Sequence, residues 1–477
     1  MASDKLNNKD LNQNFKVKGV WWIPSKEDKQ EFAGELIYEN GHITLELFGS
    51  FWKSLNEHNH NEVIFGLTSQ GDKITLLDTF QIRSKMSFPG FKIEVYTANL
   101  MLIGFHISSI DSPEIQSVAF TTNHLSNWLS ISPFKINEIM EKDGSLKQLN
   151  VHYKFPEIFS FKCEINGEQT TVKSTYAMNS SGDAIDQFNM NHSSYLKITP
   201  ESKRSIKWFH KTIFEIKSLL TLLTGHSLSF NKIIVYGDVT QTINSTEIRE
   251  KGLLFVRQIK QSTARELQSY DLLITYKDLQ KKFQIIFTKW FELKEELDSI
   301  YNLVVGNFYR ESYLETDFLN LMHSIEGFHR LRYGGKYIKQ EEYELYLKNI
   351  NEIIDNQKLN NDLKQRMKGM LVYGNEFSLR KRIKDLFNKI DEETIKILIG
   401  NNEKPNAFID KIVNTRNHLT HPDKRNIPNL IQTDELFQIN HQLKCLAMIL
   451  LLTTLCVPEK MIAQKLKVNR FYNRLLP

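Results

Sequence analysis

The stretch that decides the fold of the second half of the chain is NAFIDKIVNTRNHLT, residues 406–420, followed by His421 and Pro422. Wound at about 100° per residue, it predicts an amphipathic helix. Its apolar side chains share one side: Phe408, Ile409, Ile412, Val413 and Leu419. Because a proline at 422 disfavours helix at 421, His421 is expected at or just past the helix end. The stretch indicates a helical domain that buries one face of this helix.

Arg416 falls in the middle of that apolar stripe. A buried Arg needs a partner, either a carboxylate from a neighbouring helix or a bound phosphate, because desolvating its charge is costly. Asn417 and His421 are four residues apart on the adjacent flank, where Asn can orient an imidazole, and His418 is expected on the far, solvated side. A fixed cation beside a titratable base can cleave RNA without a metal. A structural ion pair with a His at the helix end is the open alternative.

The Arg–His spacing alone is a weak motif. Arg204 and His210 also match it, but they open a helix headed by basic residues and are interpreted as solvated surface. The later pair has the stronger context, since it lies on an apolar stripe and ends at a proline.

The element Arg416-Asn417-x3-His421, followed by proline and a long apolar helix, resembles the HEPN superfamily of helical ribonuclease domains. The segment SIEGFHR, residues 324–330, resembles an early helix of the ApeA-like HEPN subgroup. Near the start, GVWWIP (19–24) and GELIY (34–38) are similar to the β-rich N-terminal domain of ApeA-type anti-phage proteins. The resemblance covers most of the chain.

This resemblance implies specific roles. His421 would be the acid or base, Arg416 the phosphate clamp and Asn417 the orienting group, with no cofactor or metal. HEPN ribonucleases generally pair two bundles around one groove, so a homodimer acting on RNA is implied. The ApeA likeness further implies anti-phage defence by abortive infection, with the N-terminal domain sensing a phage-derived trigger.

The rest of the chain predicts an α+β multidomain protein: an N-terminal antiparallel β-sandwich or barrel-like domain, then an all-α HEPN bundle. Residues 1–200 carry short apolar runs with frequent turn signals, clearest in the hairpin whose turn is Asn40-Gly41. Residues 201–290 are assigned to a mixed connecting region and 291–477 to the helical domain. The expected helices span 281–304, 313–331, 341–370, 378–399, 406–420 and 433–457. Five aromatics are interpreted as core rather than a ligand surface: Trp21, Trp22, Phe48, Phe51 and Trp52.

Composition narrows the class of protein. Residues 1–200 carry 18 Lys and Arg against 23 Asp and Glu, and residues 201–477 carry 43 against 33, so the C-terminal part fits a polyanion partner. Three separated cysteines, a polar N-terminus and an apolar run too short for a bilayer indicate a cytoplasmic protein without a membrane segment. Motifs for nucleotide-hydrolysing motors, zinc hydrolases and serine hydrolases are absent.

Three further expectations concern the neighbourhood of Arg416. Its partner is expected to be Glu326, whose loss would leave a buried cation unpaired at a cost of about 3–5 kcal/mol. Lys424 and Arg425 are expected to bind RNA, together with a basic C-terminal tail in which Phe471 and Tyr472 stack an unpaired base. The tail's other members are Lys460, Lys465, Lys467, Arg470 and Arg474.

Two other functions stay open from the sequence. The bundle could be a non-catalytic HEPN module that dimerises or binds RNA. Alternatively, the β domain could be the working part, binding a protein or glycan, with the bundle as a dimerisation element.

Overall fold

The computed structural model describes residues 6–24, 30–51, 60–183, 185–244, 246–258, 267–421 and 429–477. The chain divides into two compact units, residues 1–291 and residues 292–477. The first is built mainly of strands and the second of helices.

Fourteen strands are formed by the described residues, all of them in the first unit. They are β1 (Phe15–Trp22), β2 (Phe32–Glu39), β3 (His42–Phe48), β4 (His60–Thr68), β5 (Lys73–Met86), β6 (Lys92–Ile103), β7 (Ser117–Thr122), β8 (Phe134–Met140), β9 (Leu146–Tyr153), β10 (Ser160–Ile165), β11 (Glu168–Gly182), β12 (Phe188–Pro200), β13 (Phe230–Ile243) and β14 (Thr246–Val256). Four helices accompany them: α1 (Leu125–Leu129), α2 (Ile206–Thr224), α3 (Tyr276–Leu279) and α4 (Lys282–Glu292).

The first six strands close into an antiparallel barrel. Their order is β6-β3-β2-β1-β4-β5, and β5 pairs again with β6. The end of β6 also pairs with β14, so the sheet continues through β14, β13, β7, β12, β11 and β10. The β2–β3 hairpin turns at Asn40 and Gly41, both at positive φ, with Glu39 opposite His42. The predicted antiparallel, barrel-like architecture is confirmed.

Residues 201–290, assigned above to a connecting region, belong to the first unit. Strands β13 and β14 lie in the middle of its large sheet, hydrogen-bonded to β7 and β6. Phe161 of β10 packs edge-on against Phe287 of α4, with ring centroids 5.3 Å apart. These pairings join residues far apart in sequence, which local patterns do not reveal. Strand β12 was not predicted from the sequence for a related reason. Its first half is polar, and its hydrogen bonds to β11 hold it in place.

The predicted core aromatics divide into two groups. Trp21 and Phe51 are buried, whereas Trp22 is half-buried and Phe48 is exposed. Trp52 lies outside the described residues. Trp21 packs so closely on Gly66 that a Cβ there would lie 2.3 Å from the indole ring. The barrel interior therefore depends on a residue without a side chain at position 66.

The second unit contains the remaining described helices. They are α5 (Lys294–Gly306), α6 (Leu314–Tyr333), α7 (Gln340–Asn356), α8 (Asn361–Val372), α9 (Leu379–Phe387), α10 (Glu392–Ile399), α11 (Pro405–Thr420), α12 (Thr433–Thr454), α13 (Glu459–Val468) and α14 (Arg470–Asn473). Helix α12 is long and apolar enough to cross a membrane by composition, but 72% of its apolar window is buried inside the protein. Its apolar side chains form the core of the helical unit.

Three predicted helices are each interrupted once. The stretch 281–304 breaks at Leu293 between α4 and α5, the stretch 341–370 between α7 and α8, and the stretch 378–399 between α9 and α10. Asn360 and Asp391 explain the last two interruptions, because their side chains accept backbone N–H groups and start α8 and α10. The apolar periodicity of the sequence continues across these capping residues, so the sequence predicted one helix where the structure has two.

We expect Gly66→Ala to lower the free energy of unfolding by about 1–3 kcal/mol, because the added methyl must displace the buried Trp21 ring. Gly306→Ala is the control, since the same methyl meets open space at the end of α5. Chemical denaturation of the full chain measures both. Equal stability of the two variants would contradict the close packing of Trp21.

Candidate functional site

Helix α11, which carries Arg416, is held from two sides. Its apolar face is buried as predicted. Asp410 pairs with Arg380 of α9, and Lys411 pairs with Glu435 of α12 at 3.0 Å. Thr415 Oγ1 accepts the backbone N–H of Ile431 at 2.9 Å, where the described chain resumes after residue 421. These contacts fix the end of the helix at which Arg416 lies.

Arg416 lies at the edge of the apolar stripe rather than within it. Its side chain is 30% exposed, and Nη2 is 3.5 Å from Glu326 Oε2 of α6. Nη1 also donates to Asn417 Oδ1 at 3.3 Å. A guanidinium has five N–H donors, so donors remain for an anion from solvent. A long Arg side chain can lay its stem along an apolar surface while its charged head reaches solvent, which explains this position.

Asn417 and His421 are exposed at the end of α11. The His421 backbone N–H donates to the Asn417 carbonyl at 2.9 Å and closes the helix. The Asn417 side chain, expected to orient His421, bonds to Arg416 instead. The prediction of a solvated His418 is wrong: this ring is half-buried, and its Nδ1 is enclosed without a partner among the described residues. The last turn of α11 therefore covers more of the His418 ring than an ideal helical wheel predicts.

Glu326 is shared between two arginines. Its Oε1 accepts from Arg330 Nε at 3.2 Å and Nη2 at 3.0 Å, while Oε2 faces Arg416. Arg330 also pairs with Glu376, and this hydrogen bond holds the pKa of the Glu376 carboxyl below its usual value. Since Arg330 makes the shorter contacts, Glu326 holds Arg416 only loosely.

The buried cation in this region is Arg382 of α9, whose side chain is 1% exposed. Its Nε donates to the Phe377 carbonyl at 3.0 Å and its Nη1 donates to the Gly334 carbonyl. Its Nη2 lies 3.4 Å from Glu376 Oε2. The positive charge of Arg382 is thus compensated by one carboxylate and two backbone carbonyls.

His329, fully buried on α6, completes this arrangement. Its Nδ1 is 3.2 Å from Arg382 Nη1, and since Arg is a donor only, Nδ1 accepts. Its Nε2 donates to Asp385 Oδ2 at 3.0 Å. Burial lowers the pKa of the His329 imidazole, and the Arg382 charge lowers it further, against the opposing effect of Asp385. His329 is therefore a neutral structural histidine.

Sequence reasoning missed most of this network, and one signal was available. Arg382 lies on the apolar stripe of α9 formed by Leu379, Ile383 and Leu386, the same pattern that singled out Arg416. The network runs from Arg416 through Glu326, Arg330, Glu376, Arg382 and His329 to Asp385, and its charged members alternate in sign on either side of the neutral His329. Arg416 is its partly exposed end on α11.

The other residues predicted to bind RNA lie away from this site or outside the described residues. Lys424 and Arg425 lie outside the described residues. The C-terminal tail packs onto the unit: Tyr472 is buried, so it cannot stack a base, and Phe471 is exposed beside Arg470. Pro477 lies beside Gly400, before the start of α11. Because α11 has 16 residues at about 1.5 Å each, its two ends are about 24 Å apart, and the tail is at the end remote from Arg416.

In the described ranges, no group of three or more His, Cys, Asp or Glu side chains is placed to hold a metal ion. The chemistry available at the end of α11 is that of a guanidinium, an amide and an imidazole.

Comparison with protein families gives two matches. Residues 16–290 match the family model described as ApeA N-terminal domain 1, and residues 319–460 match the model described as Apea-like HEPN. No curated protein and no solved structure shows a significant match. The first match covers more than half of the 477 residues, and the second contains the whole network from Glu326 to His421.

We expect Arg382→Ala to cost about 3–5 kcal/mol of unfolding free energy, because it leaves buried acceptors unpaired. Arg380→Ala, two residues away in a surface pair, is the control and should cost about 1 kcal/mol or less. Glu326→Ala should resemble the control, since both its arginine partners are partly exposed. This replaces the larger cost expected from the sequence. Chemical denaturation measures these free energies. A greater loss of unfolding free energy for Glu326→Ala than for Arg382→Ala would contradict the assignment of Arg382 as the buried cation.

The depressed pKa of His329 makes its contribution pH-dependent. Above about pH 6.5 the imidazole is neutral in both states, and below it the unfolded chain binds the proton first, so stability falls with falling pH. The stability advantage of wild type over His329→Gln should therefore shrink as pH drops below about 6.5. His323→Gln, at an exposed site on the same helix, is the control. A gap that stays constant with pH would show that His329 is not held neutral.

Proposed function

Because the chain belongs to the family of ApeA-like proteins with a C-terminal HEPN domain, we propose that it is a metal-independent endoribonuclease. The observation that carries the proposal is the end of α11, where Arg416 presents unused donors to solvent on the same helix end as the exposed His421. An imidazole and a guanidinium are the two groups that this reaction requires.

In the proposed reaction the RNA supplies its own nucleophile. The 2′-oxygen bonds to the adjacent phosphorus and loses its proton to a base, while the bond from phosphorus to the 5′-oxygen breaks and that oxygen gains a proton. His421 carries out one of these two proton transfers. Arg416 stabilises the charge that builds on the phosphoryl oxygens, where its planar fork fits. Asn417 positions the guanidinium through its Oδ1 contact of 3.3 Å.

The biological setting is part of the same proposal and rests on the family. Two helical units pair in a homodimer, so that two copies of the Arg416–His421 element face one groove. Lys424 and Arg425, which follow the element in sequence, contact the RNA backbone. Cleavage serves anti-phage defence by abortive infection in the cytoplasm, and the N-terminal unit responds to a phage-derived trigger.

One observation favours a second candidate, a HEPN module that binds RNA or dimerises without cleaving. Glu326 pairs with Arg416 and neutralises part of the charge that the reaction needs. The long 3.5 Å contact argues for the nuclease, because an incoming phosphate competes with a loosely held carboxylate. Cleavage assays separate the two candidates.

We expect His421→Ala and Arg416→Ala each to slow RNA cleavage by roughly 10²–10⁴, through loss of proton transfer or of charge stabilisation. His323→Ala, which removes an exposed imidazole from α6, is the matched control and should keep the wild-type rate. Light scattering should show the same oligomer for all four proteins. RNA binding without cleavage by wild type would support the second candidate. Wild-type rates in His421→Ala would exclude its catalytic role.

The products report the mechanism in the same assay. Activity should persist in excess EDTA, products should end in a 2′,3′-cyclic or 3′-phosphate, and DNA should stay intact. Products with 3′-hydroxyl ends would overturn 2′-hydroxyl attack.

A further inference from the structure

The first unit contains a cavity of about 410 Å³ on one face of its large sheet, far in sequence from the residues of the helical site. Strands β11, β12, β7, β13 and β14 form its floor. Its volume lies within the range of small-molecule sites, about 300–1,000 Å³.

The strand register explains what lines the cavity. Lys173 of β11 lies opposite Lys197 of β12, which lies opposite Ala119 of β7. The same row continues to Ile234 of β13 and Leu253 of β14. Within this row the positions on β11 and β12 are cationic, and those on β7, β13 and β14 are apolar.

The opposite face of the sheet is closed. Residues of the alternate parity, such as Leu196 and Phe120, are fully buried. Phe120 contacts Phe230, and Phe230 contacts Phe214 of α2, with ring centroids 5.5 and 5.1 Å apart. The lysine-bearing face is thus the one on which the cavity lies.

Positive charge predominates in the lining of the cavity. Four lysines line it, Lys173, Lys197, Lys232 and Lys251, and no Asp or Glu is among its lining residues. Asp10 pairs with Lys232 at 3.1 Å, and in the described part of the chain the other three lysines form no ion pair. Like charges directly opposite each other across two strands are destabilising. An anion bound between Lys173 and Lys197 would relieve that repulsion.

The electrostatic cost of this arrangement is clearest at Lys197. Burial lowers the pKa of its ammonium group, and the neighbouring charges of Lys173 and Arg249 lower it further. Its Nζ lies 4.3 Å from the centre of the Tyr236 ring, a cation–π contact in place of a carboxylate. Tyr195 lines the cavity beside it, so aromatic surface adjoins the cationic side.

We propose that this cavity binds a nucleotide, with its phosphates on the lysines and its base between the tyrosines and the apolar floor. Lys173 and Lys197 contact the phosphates. Tyr236 and Tyr195 contact the base, whose far edge rests on Ile234 and Leu253. The proposal goes beyond RNA cleavage and does not depend on it.

Titration calorimetry on the full-length protein tests the proposal with ATP, GTP, CTP and UTP separately, and with inorganic tripolyphosphate. At least one nucleotide should bind with a Kd on the order of 1–100 μM. Tripolyphosphate should compete but bind at least about tenfold more weakly, because it lacks the base contacts. The double variant Lys173→Ser/Lys197→Ser should weaken nucleotide binding by about tenfold or more.

Lys142→Ser/Lys154→Ser is the matched control, since it removes the same charge from exposed sites on the β8–β9 hairpin and should leave the Kd unchanged. Tyr236→Ala should weaken nucleotide binding and leave tripolyphosphate binding unchanged. Thermal unfolding checks each variant, and Lys251→Ser replaces the double variant if that one unfolds.

Three outcomes would overturn the proposal. The first is that none of the four nucleotides binds even at millimolar concentration. The second is that the cavity and control variants lose affinity equally, which would show only long-range attraction. The third is that a single-stranded oligonucleotide binds where no mononucleotide does, which would make this face a nucleic-acid surface instead.

Discussion

The buried charge of Arg382 is the constraint on which the site in the helical unit depends. A cation that is 1% exposed must satisfy its donors inside the protein, and it does so with a carboxylate, two backbone carbonyls and the neutral His329. These partners come from α6, from Gly334 directly after it, and from the segment before α9, the helix that carries Arg382. Holding them together fixes α6 against α9, and thereby fixes the position of Glu326 beside α11.

The arginines of the charged network differ in exposure: the side chain of Arg382 is 1% exposed, whereas those of Arg330 and Arg416 are 45% and 30% exposed. The inner end is structural, because each donor has a fixed acceptor. The outer end is chemically available, because Glu326 accepts its shorter hydrogen bonds from Arg330 and has only one long contact with Arg416. A fully bonded inner network with a loosely held outer guanidinium would suit the proposed exchange of a carboxylate for a phosphate at Arg416.

The strand unit differs from the helical unit in how its charged side chains are compensated. Its six-stranded barrel is closed and filled, with Trp21 packed against Gly66, whereas the sheet that extends from β6 keeps one face open. There the register sets Lys173 directly opposite Lys197, and no Asp or Glu is among the residues that line the cavity. Where the helical unit surrounds a buried cation with acceptors, three of the four lysines on this face form no ion pair within the described part of the chain.

The sequence by itself determined the antiparallel β architecture, the helical second half and the Arg416–His421 element, because these follow from local periodicity, turn residues and short spacing. The Asn40-Gly41 turn is an example: two positive φ angles suffice to specify the hairpin. Only the tertiary structure decided the membership of residues 201–290, the burial of Tyr472, the partial burial of His418, and the network around Arg382. The lysine-lined cavity likewise appears only in three dimensions. Each of these depends on which distant segments pair, and that choice is made by backbone hydrogen bonding and side-chain packing between elements, which no local pattern encodes.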